Sequence, residues 1–318
     1  MTELPPYVAA TDVVRRTSGL PFDAIFPIAS MTKPITSLCA LMLVEQGVLA
    51  LDEPLPELAH VQVLDGEALR PPKRPIVLRD LLTHTAGFGY DNWDADVKRW
   101  AAGAADSSFR VAPLVFDPGE RWKYGVNTDW VGEVVVRRTG RTLAEYMAER
   151  VFRPLGMVDT AYGVPAEKRS RVAPRWRRRA DGGLDPEPFD IPEPGGPGGG
   201  GGGLFSTAED YLRFLRGYGR LLRPETVAEM HRNHIGDLTV QPLPTQNPER
   251  SKDFELFPGQ PKKWGLAGML TADGRWRWAG LFNTYFWCCP GGVVLTNLLP
   301  FGDPAVLELA SAFEKETS

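Results

Sequence analysis

A chain of 318 residues is long enough to bury one large core or two subdomains. Its composition, 43% hydrophobic and 24% charged, is that of an ordinary soluble globular protein, and a net charge of −4 argues against nucleic acid as the main partner. No run reaches the ~18 apolar residues of a membrane span, and the opening MTELPPYVAATDVV has no basic region ahead of an apolar core, so no membrane is expected and the cytoplasm is the default location.

Residues 7–14, rich in Val, Ala and Thr, predict a strand. An extended apolar segment, 24–28, then leads into Ser30-Met31-Thr32-Lys33, of the form S-x-x-K. The apolar run 35–44 that follows is too long for a strand and is closed by Gly47, which predicts a helix with Pro34 in its first turn, where a missing N–H is tolerated. Positions three apart share a helix face, so Ser30 and Lys33 point the same way. By itself this pattern has two readings. One is a serine cap with a solvated lysine. The other is a nucleophile beside an amine that takes its proton, with the positive helix N-terminus close to a developing oxyanion. Cys39, inside the apolar run, reads as a small core residue.

Residues 78–82 predict a short helix that ends at Thr83-His84-Thr85, where His84 is expected to fix backbone rather than to catalyse. Residues 91–116 carry Trp93, Trp100 and Phe109 among polar residues and read as an irregular helical lobe. Beyond the turn at Asp117-Pro118-Gly119, Val131, Val134, Val135 and Arg138 keep a helical period that stops at Gly140. Thr142 and Glu145 then form a capping box. The cluster Arg175, Arg177, Arg178, Arg179 reads as a solvated loop.

Residues 195–203 are eight glycines and one proline, either a flexible linker or a cleft wall where backbone approaches a ligand. Ser206 and Glu209 read as another capping box, and Pro224 as the start of a short helix. His231 and His234 lie three apart, but with no further Cys or His nearby no metal is expected. Segments 264–270, 275–282, 284–288 and 293–298 read as an antiparallel meander, and Pro304 opens a final helix with Val306, Leu309, Ala310 and Phe313 on one face. Cys288 and Cys289 are neighbours and poorly placed to bridge, and three cysteines imply no disulfide framework. The fold class is α+β: an antiparallel sheet flanked by helices, with an inserted, mostly helical lobe.

Six stretches together carry a resemblance: FPIASMTKP, LRDLLTHTAGFGY, WKYGVNTDWVGEVV, VFRPLGMVDT, GGGGLFSTAEDY and WAGLFNTYFW. The chain resembles the serine β-lactamase-like superfamily, the class C β-lactamases and family VIII carboxylesterases in particular. The resemblance implies a single β-lactamase-like catalytic domain over residues 1–318. In it, 1–50 and 204–318 form the sheet-and-helix part and 51–203 the mostly helical lobe. It implies Ser30 as nucleophile, Lys33 as its activating partner, and Tyr124 sharing general base and acid work with the lysine. The backbone N–H groups of Ser30 and Leu281 would form the oxyanion hole. Val126, Trp278, Ala279, Gly280, Gly202 and Gly203 would contact substrate, with the glycine run as a cleft wall. No cofactor is implied.

Three departures shape the functional expectation. The Y-S-N motif of β-lactamases reads Tyr124-Gly125-Val126, with Asn127 one position late and expected to point elsewhere. Trp278 stands where lactamases place the lysine that meets a substrate carboxylate. Both changes are similar to those of family VIII esterases and fungal acyl-transferring enzymes. The expected activity is therefore hydrolysis of a small-molecule carboxylic ester through an acyl-enzyme. The alternatives are acyl transfer, weak β-lactam or amide hydrolysis, and non-catalytic binding of the penicillin-binding type. Third, 29 residues precede Ser30, fewer than relatives have. The favoured expectation is that strand 7–14 stays at its family position as an exposed edge beside a gap, with the start of the chain lying upstream. The alternative is that it moves inward to pair with segment 293–298.

Overall fold

The computed structural model describes residues 2–317. Strand β1 (Tyr7–Thr11) is buried throughout and turns back at once into the exposed β2 (Arg15–Ser18). The turn is tied by Thr11, whose Oγ1 accepts from Val14 N at 3.1 Å. After the two-residue β3 (Phe26–Pro27), a 3₁₀ turn over Ala29–Thr32 feeds α1 (Lys33–Glu45), which Gly47 ends at φ +70°. The residues that follow hold β4 (Val63–Asp65), β5 (Ala68–Arg70), α2 (Leu78–Leu82) and α3 (Ala95–Gly103). Helix α4 (Asn127–Thr139) ends at Gly140, and α5 (Leu143–Met147) starts from the Thr142–Glu145 capping box and runs through a π-turn into α6 (Arg153–Leu155). Strands β6 (Ala161–Tyr162), β7 (Trp176–Arg178), β8 (Leu184–Pro186) and β9 (Leu204–Ser206) lead to α7 (Ala208–Gly217) and α8 (Pro224–Met230). The last part carries β10 (Lys263–Trp264), β11 (Met269–Leu270), β12 (Trp276–Gly280), β13 (Thr284–Cys288), β14 (Gly292–Leu295), β15 (Leu298–Leu299) and α9 (Pro304–Glu316). Among the described residues no helix is long and apolar enough to cross a membrane.

The main sheet is antiparallel, in the order β10-β11-β12-β13-β14-β1-β2. Neighbouring residues of a strand face opposite sides. On β13, Phe286 meets Tyr211 of α7 and Trp287 meets Phe313 of α9, so the two helices cover opposite faces of the sheet. Helix α1 is buried from Lys33 to Leu43 and packs against α4, which makes it the central helix of the molecule.

Four expectations are corrected. Strand β1 is not an open edge beside a gap. It pairs directly with β14 (Val8 opposite Leu295, Ala9 opposite Val294), and β2 covers its other side. An apolar strand left with unpaired N–H and C=O groups is costly. Here the edge is given to β2, whose Arg15 and Arg16 form ion pairs with Glu209 and Glu316. The cap before α7 is Thr207, which accepts from Asp210 N at 3.2 Å, while Ser206 ends β9 and shares a 2.8 Å hydrogen bond with Thr160. Segment 293–298 leaves the sheet after Leu295, and β15 pairs in parallel with β7 instead. The arginine cluster is not a solvated loop, because β7 lays Arg178 against Asp303 with both side chains buried, at 5% and 1% exposure.

Asp303 does two jobs, since it also caps α9 by accepting from Ala305 N and Val306 N. Asp303→Ala removes the cap and leaves a buried guanidinium unpaired, and we expect a loss of about 3–5 kcal/mol in urea unfolding. The double variant Arg178→Met with Asp303→Asn keeps a capping side chain and strands no charge. It should lose clearly less than Asp303→Ala alone, and an equal loss would show that the unpaired charge is not the cause.

Candidate active site

The segment entering Ser30 is bent sharply. Ala29 has φ +44°, a left-handed conformation that a residue with a side chain adopts only where its surroundings impose it. The surroundings are β9, where Leu204 O accepts from Ile28 N at 2.9 Å, and α7, where Tyr211 donates its hydroxyl to Met31 O at 2.9 Å. Ser30 therefore stands on a tight 3₁₀ turn rather than in the α-helix proper, with Lys33 one turn on, at the start of α1.

Lys33 is buried, at 3% exposure, and its Nζ donates to three acceptors: Ser30 Oγ at 3.1 Å, Tyr90 OH at 3.0 Å and Gly201 O at 2.7 Å. A lysine nitrogen can donate to all three, and the Ser30 hydroxyl can also donate to it. Asp129, in the first turn of α4, binds two members of this set: its Oδ2 accepts from Tyr90 OH at 3.2 Å and its Oδ1 from Gly201 N at 3.0 Å. Burial, and after it the Asp129 charge, pushes the Tyr90 phenol well above its ordinary range. Tyr90 thus stays protonated, accepting from the lysine and donating to the aspartate. The sequence reading missed Tyr90 and Asp129. Both lie inside stretches that carry the resemblance, but no spacing links them to Ser30.

Tyr124 is brought to the same nitrogen from another side. Its ring centre lies 4.9 Å from Lys33 Nζ, and its buried hydroxyl has no hydrogen-bond partner among the described residues. The rings of His84 and Trp278, each at 4.9 Å, hold it in place. His84 is buried, and burial followed by the nearby Lys33 lowers its pKa well below the ordinary value, so it is neutral. Its backbone O accepts from Lys123 N, but the hydrogen bond that its ring makes, at 3.0 Å between Nδ1 and Asn127 Nδ2, goes to a side chain and not to the backbone expected of it. Asn127 is indeed turned away into the core, and Val126 takes the place at the cavity wall.

Ser30 opens onto a cavity of about 580 Å³, whose walls include Tyr90, Trp93, Val126, Leu281 and Phe282. Gly201, Gly202 and Gly203 form another side. Of the two readings of the glycine run, the structure has the cleft wall. A Cβ on Gly200 would lie 2.1 Å from Thr128 O and one on Gly201 2.3 Å from Asp129 Oδ2, so backbone alone fits there. Leu281 faces the cavity as expected, but Trp278, Ala279 and Gly280 do not line it. The reason is packing. β12 is covered on both faces, Trp278 is 5% exposed, and it stacks edge-on to Trp264 at 4.7 Å. Gly280 has a different use, since a Cβ there would sit 2.4 Å from Ile28 O; its absence lets β12 approach the turn that carries Ser30. Among the described residues no cluster of His, Cys, Asp and Glu could hold a metal ion.

The family model described as Beta-lactamase matches residues 9–312. A lovastatin esterase of Penicillium rubens is 34% identical over 310 residues, covering 86% of this chain and 76% of the relative. Acyltransferase calJ of Penicillium decumbens is 32% identical over 351 residues, covering 96% and 83%. Among solved structures, a mutant of simvastatin synthase from Aspergillus terreus superposes with a TM-score of 0.81 at 27% identity, covering 99% of this chain and 94% of that one.

Tyr90→Phe removes one acceptor from Lys33 and one donor from Asp129. A hydrogen bond to a charged group is worth about 1.5–3 kcal/mol. The variant should label at Ser30 with a fluorophosphonate about 10- to 100-fold more slowly than the parent, measured by intact-protein mass spectrometry over time. An unchanged labelling rate would mean that Tyr90 does not hold the amine in its working position.

Proposed function

The chain belongs to the beta-lactamase family, and we propose that it cleaves small-molecule carboxylic esters through an acyl-enzyme on Ser30. The observation that carries this reading is the buried Lys33 amine, 3.1 Å from the oxygen of a Ser30 hydroxyl that itself lines the cavity. As a neutral amine, Lys33 keeps two N–H bonds for Tyr90 and Gly201 and turns its lone pair to the Ser30 hydroxyl. It takes that proton as Oγ attacks the ester carbonyl carbon. The backbone N–H groups of Ser30 and Leu281 receive the oxyanion of the tetrahedral intermediate. Tyr124, whose hydroxyl has no hydrogen-bond partner among the described residues, relays the proton from Lys33 to the departing alcohol once substrate is bound. Water then attacks the acyl-enzyme by the reverse sequence and releases the acid.

Acyl transfer is the second reading. It is favoured by a cavity of about 580 Å³, which has room for an alcohol acceptor beside the acyl group, and by relatives named as both esterases and acyltransferases. β-Lactam turnover is disfavoured: Val126 offers no amide to a lactam side chain, and the position of the usual lysine is held by the buried Trp278. We further assign the work between two parts of one catalytic unit. Residues 1–50 and 204–318 supply Ser30, Lys33 and Leu281, and residues 51–203 supply Tyr90, Tyr124, Val126 and the glycine wall.

A phosphonate probe should add one mass equivalent to the protein, and Ser30→Ala should abolish the addition; persistent labelling would remove Ser30 as nucleophile. Lys33→Ala and Tyr124→Phe should each lose most esterase activity, with the double variant little worse, because members of one catalytic unit do not add. Hydrolysis of p-nitrophenyl butyrate should far exceed that of nitrocefin. A burst of p-nitrophenol without steady turnover would favour a non-catalytic binding protein instead.

A further inference from the structure

The cavity that holds Ser30 contains a guanidinium that, among the described residues, is in no ion pair. Arg175, just before β7, lies half-buried in the wall. Its guanidinium carbon is 4.0 Å from the ring centre of Phe189 and 4.3 Å from that of Phe282, so the planar group is stacked against two aromatic faces. Its Nε donates to Asn297 Oδ1 at 3.3 Å. Its two terminal nitrogens have no hydrogen-bond acceptor, and no carboxylate lies within 4 Å of them, among the described residues. This sets Arg175 apart from its neighbours in the cluster, because Arg177, Arg178 and Arg179 are paired with Glu187, Asp303, and Asp181 with Asp185. A partly buried charge left without a partner is unfavourable in itself, and protein interiors pair such groups wherever a partner is available.

The position of the group says what would meet it. Phe282, on which it rests, directly follows Leu281, whose N–H is assigned to the oxyanion, and all three residues line the one cavity. Arg250 lines the same cavity but is exposed to solvent, and the cavity's Asp129 is already engaged by Tyr90 and Gly201. Asp91 and Asp190 also line the cavity but are exposed to solvent. A fixed fork of two N–H-bearing nitrogens matches a carboxylate bidentately. We propose that Arg175 forms a carboxylate subsite, so that the preferred substrates are esters carrying a carboxylate in the part of the molecule that lies along Phe282. In this reading β7 supplies, from another direction, the cation that Trp278 cannot supply from β12. The proposal rests on the esterase reading of the same cavity.

The test compares mono-p-nitrophenyl glutarate with its methyl-capped, uncharged counterpart. The parent protein should show the higher kcat/KM on the charged ester. Arg175→Met should lower the charged-to-neutral ratio of kcat/KM about 10- to 100-fold, and Arg175→Lys, which keeps the charge and loses the fork, should fall between the two. An unchanged ratio in Arg175→Met, including an equal loss on both esters, overturns the subsite. Glutarate binding by calorimetry separates this failure from failure of the esterase reading. If the parent hydrolyses neither ester, yet binds glutarate and Arg175→Met does not, the subsite stands and the esterase reading falls. If the two proteins bind glutarate equally, or neither binds it, the subsite falls.

Discussion

The buried amine of Lys33 is the group that the rest of the structure must accommodate. A lysine at 3% exposure has lost its hydration and needs acceptors from the protein in its place. They come from three separate segments: Ser30 one turn back, Tyr90 after α2, and Gly201 ahead of β9. Each acceptor is itself held. Ser30 stands on a turn bent by Ala29, and Asp129 ties both Tyr90 and Gly201 to the start of α4. Moving any of these segments would strand a charge or a polar group in a dry interior, which makes the arrangement stiff as well as reactive.

The same constraint accounts for the glycine run. Gly201 can reach the amine only if its backbone passes against α4, and at Gly200 and Gly201 a side chain would collide with Thr128 O or Asp129. The composition of a flexible linker here serves close packing. Gly280 repeats the device on the opposite side, where β12 meets Ile28. The cleft is therefore built largely of main chain around the nucleophile and of aromatic side chains farther out, an arrangement suited to an oxyanion and to an apolar acyl or alcohol group.

Trp278 illustrates how a departure from a family pattern changes more than one contact. At a position that carries a cation in lactamases, it adds no charge to the cavity and instead joins Trp264 and His84 in fixing the ring of Tyr124. The site gives up an anion contact on one strand and gains a rigid setting for a tyrosine. The guanidinium of Arg175, stacked on Phe189 and Phe282, then supplies the positive charge at the cavity wall.

What the sequence determined by itself was whatever depends on neighbours along the chain. Ser30 and Lys33 had to share a face because they are three apart. Gly47 and Gly140 had to end helices, Thr142 and Glu145 had to cap one, and turn residues marked out the two central strands of the meander, β12 and β13. Tertiary structure decided the matters that join distant segments. Tyr90 reaches Lys33 across 57 residues and Gly201 across 168, distances over which no periodicity carries information. The burial of Arg178 against Asp303, the inward face of Trp278 and the pairing of β1 with β14 were settled in the same way. In each, a polar or apolar group took the partner that lowered its burial cost, and which partner stood within reach was known only once the chain had closed around it.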